Sequence, residues 1–535
     1  MNAVSWRTWL LVGVGAAVAA LFLYRGALDG TFVSDDFNHV PSNPHIQSLD
    51  WPHVAALLDP AGLPARATSN YAPVHLLIHA LQWQAFGLST RGYHVTNVLL
   101  HAGVCLLLGA FYLASGIPRT GAALLAALFL LHPANVEAVA WIFQVKSIVA
   151  LGFSLAALLA FASLPLVSGA FFALALLTKI SALYALPVAA AQLWVRRASA
   201  RQWQWLGLWL AIAVACSIAE LPLFQRTGEA PSSYVILDPG ERIRSMVAIA
   251  GRYLVMSATS WGISPTHEPA PATSFADPWW LFGVLALVAV GARALVTLHR
   301  RREESVFWVW AAASYVPISQ VFTFIYPMAD RYLYFILPGV LGAGFWMAHD
   351  AVEFLAERLR IPARRLFAIV AAGATVAGVV FAVRTSQQAF VWRSEESVMR
   401  EAVRRYPDGI GGLFLRARTA AQGGDWPAAI AALDRLADRG YAVFIAVDGE
   451  PAFAPIHGTE EYQRVFRRFA ANWIRSTPLA PNAMPAELRA MGLAHAIVGD
   501  DAAADTFYQR ALEAAGPDDA AFIRSEWDAL RRQRR

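Results

Sequence analysis

Lysine is almost missing from this chain of 535 residues: of 43 basic side chains only Lys146 and Lys179 are lysines, and arginine supplies the rest. Charge of either sign is scarce too, at 15% of residues against 57% hydrophobic. That ratio excludes an ordinary soluble domain and a disordered chain, and it leaves a polytopic membrane protein. Cysteine is limited to Cys105 and Cys216. Both fall in apolar spans, far apart in sequence, which argues against a metal motif and a disulfide and makes packing their expected role. The net charge of +5 belongs to basic loops beside membrane spans and does not point to nucleic acid.

Apolar sequence without charge is what the chain has most of. Residues 8–24, 92–118, 147–178 (most of two crossings), 305–329, 332–349 and 366–383 suit a hydrocarbon core about 30 Å thick. Arg7 precedes the first run and no small-residue cleavage site follows it, which predicts a retained anchor. Arginine clusters at Arg196, Arg197 and Arg201, at 299–302 and at 358–365, and such loops are expected in the cytoplasm. Fixing them there gives about eleven crossings and puts residues 30–90 and everything after Arg384 on the opposite side. The stretch 243–262 carries Arg252 and is expected to be interfacial or re-entrant.

Asp35 and Asp36 stand side by side in that first long loop, in Asp29-Gly-Thr-Phe-Val-Ser-Asp-Asp-Phe-Asn38. Two adjacent carboxylates repel each other. Such a pair can take a proton from an attacking hydroxyl, bind a cation, or simply form a solvated acidic turn. His75 and His79 share one helical face, a spacing that serves either zinc or a packed core. Lys146 and Lys179 sit at span ends on the same side as the aspartates. A basic residue there runs against the positive-inside bias, so the pair reads either as interfacial anchors or as ammonium groups reaching a phosphate oxygen.

The last 150 or so residues read as a soluble helical domain. An amphipathic helix ends at Pro407. Residues 409–440 and 487–516 then each place a Gly-Asp turn between two Ala/Leu-rich helices, a period near 34 residues that resembles tetratricopeptide repeats. Residues 441–473 fit that pattern poorly. A short array of this kind is expected to bind protein or to pack on the membrane domain.

Several motifs occur in a particular order: Asp35-Asp36, Asn70-Tyr-Ala-Pro73, Gly92-Tyr-His-Val-Thr-Asn97, His132-Pro-Ala-Asn-Val-Glu-Ala-Val-Ala-Trp141 with Lys146, Thr178-Lys179, and Met328-Ala-Asp-Arg-Tyr-Leu-Tyr334. In this order the chain resembles the GT-C glycosyltransferases, in particular the repeat-bearing branch called TMTC proteins. The resemblance implies an all-α fold: a GT-C-type membrane domain over residues 1–384, followed by an extracytoplasmic helical-repeat domain over 385–535. It implies transfer of a sugar, with inversion, from a polyprenyl-phosphate carrier to an acceptor protein or glycan at the outer face of the bilayer. The expected membrane is the cytoplasmic (inner) membrane of a bacterium.

By match to the family, Asp35 is the first choice for general base and Asp36 its orienting partner, with the two roles exchangeable. Lys146, Lys179 and Arg331 would hold the carrier phosphate. Asn38, Tyr71, His132, Glu137, Gln144, Asp330 and Tyr332 would line the pocket. A phosphate-monoester leaving group held by lysine and arginine needs no metal. A divalent cation on Asp35 or Asp36 is expected only with a pyrophosphate carrier. The chain departs from the family at Ala72, where an arginine usually precedes the proline, and in its short, irregular repeats. Two other readings stay open: a repeat-bearing membrane scaffold, and a transporter of lipid-linked sugar, for which no paired halves are visible.

Overall fold

The computed structural model describes residues 5–68, 70–224, 238–321, 327–477, 479 and 483–534. Among them the protein is built from helices. The β structure there is an isolated antiparallel bridge between His267 and Met328. Among the described residues seven helices are long and apolar enough to cross a membrane: Trp6–Leu23, Thr90–Ala114, Ile142–Ala160, Ala200–Leu223, Pro278–His299, Asp330–Leu359 and Ala363–Val391. Arg119–Leu131 and Pro133–Ala140, bent by 53°, make an eighth if counted together.

This is an all-α membrane protein, with fewer full-length crossings than the eleven or so expected from loop charge. The difference lies in segments that fold as shorter apolar helices, Pro165–Thr178 and Ile180–Val195, and in Glu304–Tyr315. At 1.5 Å per residue, the 12 residues of Glu304–Tyr315 reach only about 18 Å. The expected span 305–329 continues as a tight turn, Val316–Ile318. Positions 322–326, with Tyr326 among them, lie outside the described residues. The ambiguous 243–262 stretch falls, up to Thr259, in the Pro239–Thr259 helix, which carries Arg242, Arg244 and Arg252 and is not among the apolar spans.

Helices approach most closely where side chains vanish. A Cβ on Gly339 would stand 2.6 Å from the Ala311 nitrogen and 2.7 Å from the Phe307 carbonyl oxygen. The Asp330–Leu359 and Glu304–Tyr315 helices therefore touch backbone to backbone there, the small-residue contact usual between membrane helices.

One end of the bundle collects the basic loops. Arg196 pairs with Glu303 at 2.8 Å. Arg302 makes a two-pronged pair with Asp350 at 2.6 and 2.7 Å, and Arg293 bridges Glu304 and the same Asp350. The 358–365 cluster follows the end of the same long helix. Asp350 lies 20 positions after Asp330, roughly 30 Å along a helix, so the segment around Asp330 forms the opposite end.

The first loop is folded rather than extended. Short helices Asp36–His39, Trp51–Leu58, Leu63–Ala67 and Pro73–Phe86 fill it. They share a small core of Phe32, Val40, Ile46, Leu57, Leu76, Ala80, Tyr93 and Ile142. In the C-terminal part, Ile410–Gln422 pairs with Trp426–Asp438 and Pro485–Val498 with Asp501–Ala514. The Gly-Asp turns act as N-caps: the Asp425 and Asp500 carboxylates accept from the backbone N–H three residues on, each at 3.1 Å. The poorly fitting stretch between them forms Phe444–Asp448, the turn Pro451–Ile456 and the strongly amphipathic Glu460–Ser476.

Candidate active site

His132-Pro133 creates the site's scaffold. Proline disfavours a helical residue before it and supplies no N–H, so the helix stops at Leu131 and restarts bent. The chain then passes Trp141 and the tight turn Ile142–Gln144 before the Val145–Ala160 helix begins. Residues 133–148 are buried throughout. Irregular backbone at such depth must find partners for its polar groups. Asn97 donates to the carbonyls of Trp141 and Ile142 at 3.2 and 3.4 Å. The Phe143 N–H donates to Asp36 Oδ1 at 2.7 Å.

Asp36 thus stitches the first loop to this turn. Its other oxygen accepts from the Val33 N–H at 2.8 Å, and the Trp141 indole donates to the Val33 carbonyl at 3.1 Å. Burial raises its carboxyl to about 8, against the opposing pull of the two backbone N–H donors. Asp35 differs. It is half-buried, and its carboxylate accepts no hydrogen bond among the described residues. Its backbone carbonyl accepts from His39 Nδ1 at 2.9 Å. Ser34, just before the pair, has φ 52°, a left-handed conformation uncommon outside glycine.

The three expected cations gather around Lys179. Lys146 places its ammonium 3.6 Å from the centre of the Phe143 ring. Lys179 donates to Ser147 Oγ at 2.8 Å, and Ser147 donates on to Gln144 Oε1 at 2.7 Å. Lys179 is within electrostatic range of Lys146, Arg331 and Glu137. Arg331 is flanked by the rings of Trp141 and Tyr332, at 5.6 and 5.1 Å from its guanidinium carbon. Its backbone N–H donates to Glu137 Oε2 at 2.7 Å, and its guanidinium pairs with the other Glu137 oxygen. Glu137 is buried, so this ion pair fixes where Arg331 begins.

Other residues expected in the pocket lie elsewhere or face away. His132 is buried against Phe381, with Nε2 3.2 Å from the Ser257 carbonyl, and serves the helix break. Asp330 accepts from His267 Nε2 at 2.7 Å and from the Ser264 N–H at 3.0 Å. The Tyr71 hydroxyl donates to the Leu58 carbonyl and its N–H to Glu220. Asn38 is exposed on the short Asp36–His39 helix. His75 and His79 pack in the loop core, ring centres 4.6 Å apart, with His75 5.3 Å from Phe143. Burial lowers His79 to about 3 and, with help from the Lys146 charge, lowers His39 to about 4. No group of three or more His, Cys, Asp or Glu among the described residues is arranged to hold a metal ion.

Sequence reasoning missed Ser147, Phe143, His39 and His267. Ser147 directly follows Lys146 and Phe143 lies between Trp141 and Lys146, a weak signal. His39 directly follows the acidic motif and bonds back to Asp35, whereas His267 carries no signal, because its contact to Asp330 spans the fold.

Part of the chain is similar to Protein O-mannosyl-transferase Tmtc1 of Drosophila melanogaster, 32% identical over 133 residues. That match covers 24% of this chain and 15% of the fly protein. The chain therefore aligns with only a small part of the relative's length. No family model matches the chain. No solved structure matches it either.

Proposed function

We propose that this protein is a membrane glycosyltransferase of the GT-C type, which takes a sugar from a polyprenyl-phosphate carrier and passes it, with inversion, to a hydroxyl acceptor. Distant similarity to a protein O-mannosyl-transferase supports the reaction class. The single observation that carries the reading is the position of Lys179. Its side chain makes one hydrogen bond among the described residues, to a neutral serine hydroxyl, while two further cations stand close by and the carboxylate within electrostatic range of it, Glu137, is already paired with Arg331. Like charges gathered at the end of apolar helices destabilise one another unless an anion lies between them. A phosphate monoester is such an anion, and cations fixed around it stabilise the charge that develops as the glycosidic bond breaks.

In this scheme Asp35 removes the proton from the acceptor hydroxyl as its oxygen attacks the anomeric carbon. The bond to the phosphate oxygen breaks, and the phosphate leaves with the electron pair, held by Lys179, Lys146 and Arg331. Asp36 holds the loop that carries Asp35. No metal is required for this leaving group. The helical-repeat domain is the natural place for a protein acceptor to dock.

The test uses the full chain in lipid nanodiscs, with mannosyl-phosphoryl-polyprenol as the first donor because the relative's name specifies mannose. Donor binding is expected in the wild type and is expected to weaken at least tenfold in Lys179→Ala, the scale of a hydrogen bond to a charged group. Unchanged donor affinity in Lys179→Ala and Arg331→Ala together would remove the phosphate site.

A further inference from the structure

The C-terminal domain reaches the candidate site through a short line of polar contacts. Tyr406, the residue that ends the Glu395–Arg405 helix, directs its hydroxyl at His267 Nδ1 at 3.4 Å. The other nitrogen of His267 lies 2.7 Å from Asp330 Oδ1, and both side chains are almost wholly buried. The two contacts suit an imidazole whose Nε2–H donates to the carboxylate while Nδ1 accepts the tyrosine proton. Asp330 is the first residue of its helix, and Arg331 follows it.

A second grip runs parallel to the first. The Ile410 N–H, at the start of the next helix, donates to Glu268 Oε2 at 2.5 Å. Gly409 leaves room for it, since a Cβ there would stand 2.7 Å from that oxygen. His267 and Met328 also pair backbone to backbone. Residues 264–268 are therefore clasped by the C-terminal domain on one side and by residues 328–330 on the other. From there Arg331 N–H reaches Glu137, within the broken helix that carries the site.

We infer that Tyr406 and His267 are positioning residues: through Asp330 they set the first turn of the Asp330–Leu359 helix, and with it Arg331, according to how the C-terminal domain is docked. The inference rests on the function proposed above only for its consequence, the grip on the donor phosphate. An acceptor protein that shifts the helical domain would then change how firmly the site holds its donor. Communication of this kind needs an element biased from both sides, and the helix N-terminus held between Glu137 and His267 is that element.

The experiment measures hydrogen exchange of the backbone amides of residues 330–333 in the intact protein in nanodiscs. Tyr406→Phe and Gly409→Ala are each expected to speed exchange there by roughly 3- to 10-fold, the scale of one lost hydrogen bond. Tyr508→Phe, which removes a hydroxyl contact to Glu526 at 2.9 Å within the last repeat, is the control and is expected to leave 330–333 unchanged. Unaltered exchange in both test variants overturns the inference, as does an equal response to the control. Donor binding is measured on the same samples. A raised donor dissociation constant in Tyr406→Phe that disappears in an Arg331→Ala background ties the effect to Arg331. Altered exchange with no donor binding in any sample leaves the coupling standing and removes the proposed function instead.

Discussion

Replacing Asp35 by Asn removes a carboxylate that accepts no hydrogen bond among the described residues, so the fold loses little. If it is the base, transfer falls by roughly 10²- to 10⁴-fold. Turnover by purified Asp35→Asn protein, with donor affinity measured alongside, checks this; near-normal turnover would end its assignment. Asp36 answers to a different test. Its folded-state carboxyl lies at about 8, above the ordinary 3.8, so the folded protein keeps a proton that the unfolded chain has lost. The contribution to stability is then fully present below pH 4 and is lost as pH rises through about 8. Thermal unfolding in detergent from pH 5 to 9 is expected to show this decline, and Asp36→Asn to lack that component. The same variant also leaves one buried N–H, from Val33 or Phe143, without its acceptor, which costs about 1–3 kcal/mol.

Between elements, one tight dependence is at Gly339. Ala there drives a methyl into the backbone of the neighbouring helix at Ala311 and Phe307, where nothing can yield by rotating a side chain. Overpacking of this kind destabilises by roughly 1–3 kcal/mol or more. Gly344, on the same helix, has nothing within 4 Å of its added Cβ. Gly344→Ala is expected to be neutral or slightly stabilising, because alanine is the better helix former. A pair of melting curves decides the matter, and equal midpoints would mean that the two helices are not packed this way.

For the whole molecule the question is which residues share a side of the membrane. The basic loops around Arg196 and Arg302 gather at one end, and Asp35, Lys179 and Arg331 at the other. With arginine loops inside, single cysteines at Ser34 and Ser525 are expected to label from outside sealed cells, and a cysteine at Ser199 is not. All three positions are exposed. The background needs Cys105 and Cys216 replaced first. Opposite results at 34 and 525 would separate the C-terminal domain from the acidic pair by a bilayer, against the hydrogen bonds that join Tyr406 and Ile410 to residues 267–268.

Composition alone determined that this is a membrane protein, because so much apolar sequence with so little charge suits few other settings; the all-α fold was what the family resemblance implied. Periodic Ala/Leu helices with Gly-Asp turns likewise announced the C-terminal helix pairs, since a cap is a local interaction between residues three apart. Motif order named Lys146, Lys179, Glu137 and Arg331 as candidates, and only the fold showed their contacts. Tertiary structure decided the rest. Family match put Asp35 first as base but left the two roles exchangeable; the buried turn at Phe143 then claimed Asp36 and left Asp35. Asp330 and Arg331, neighbours in one motif, point to different partners, His267 and Glu137, because successive residues at a helix start face different directions. The number of full crossings depended on where prolines and tight turns cut apolar runs short, and hydropathy does not register that break. Contacts between residues far apart in sequence, such as Tyr406 with His267, leave no local pattern to read.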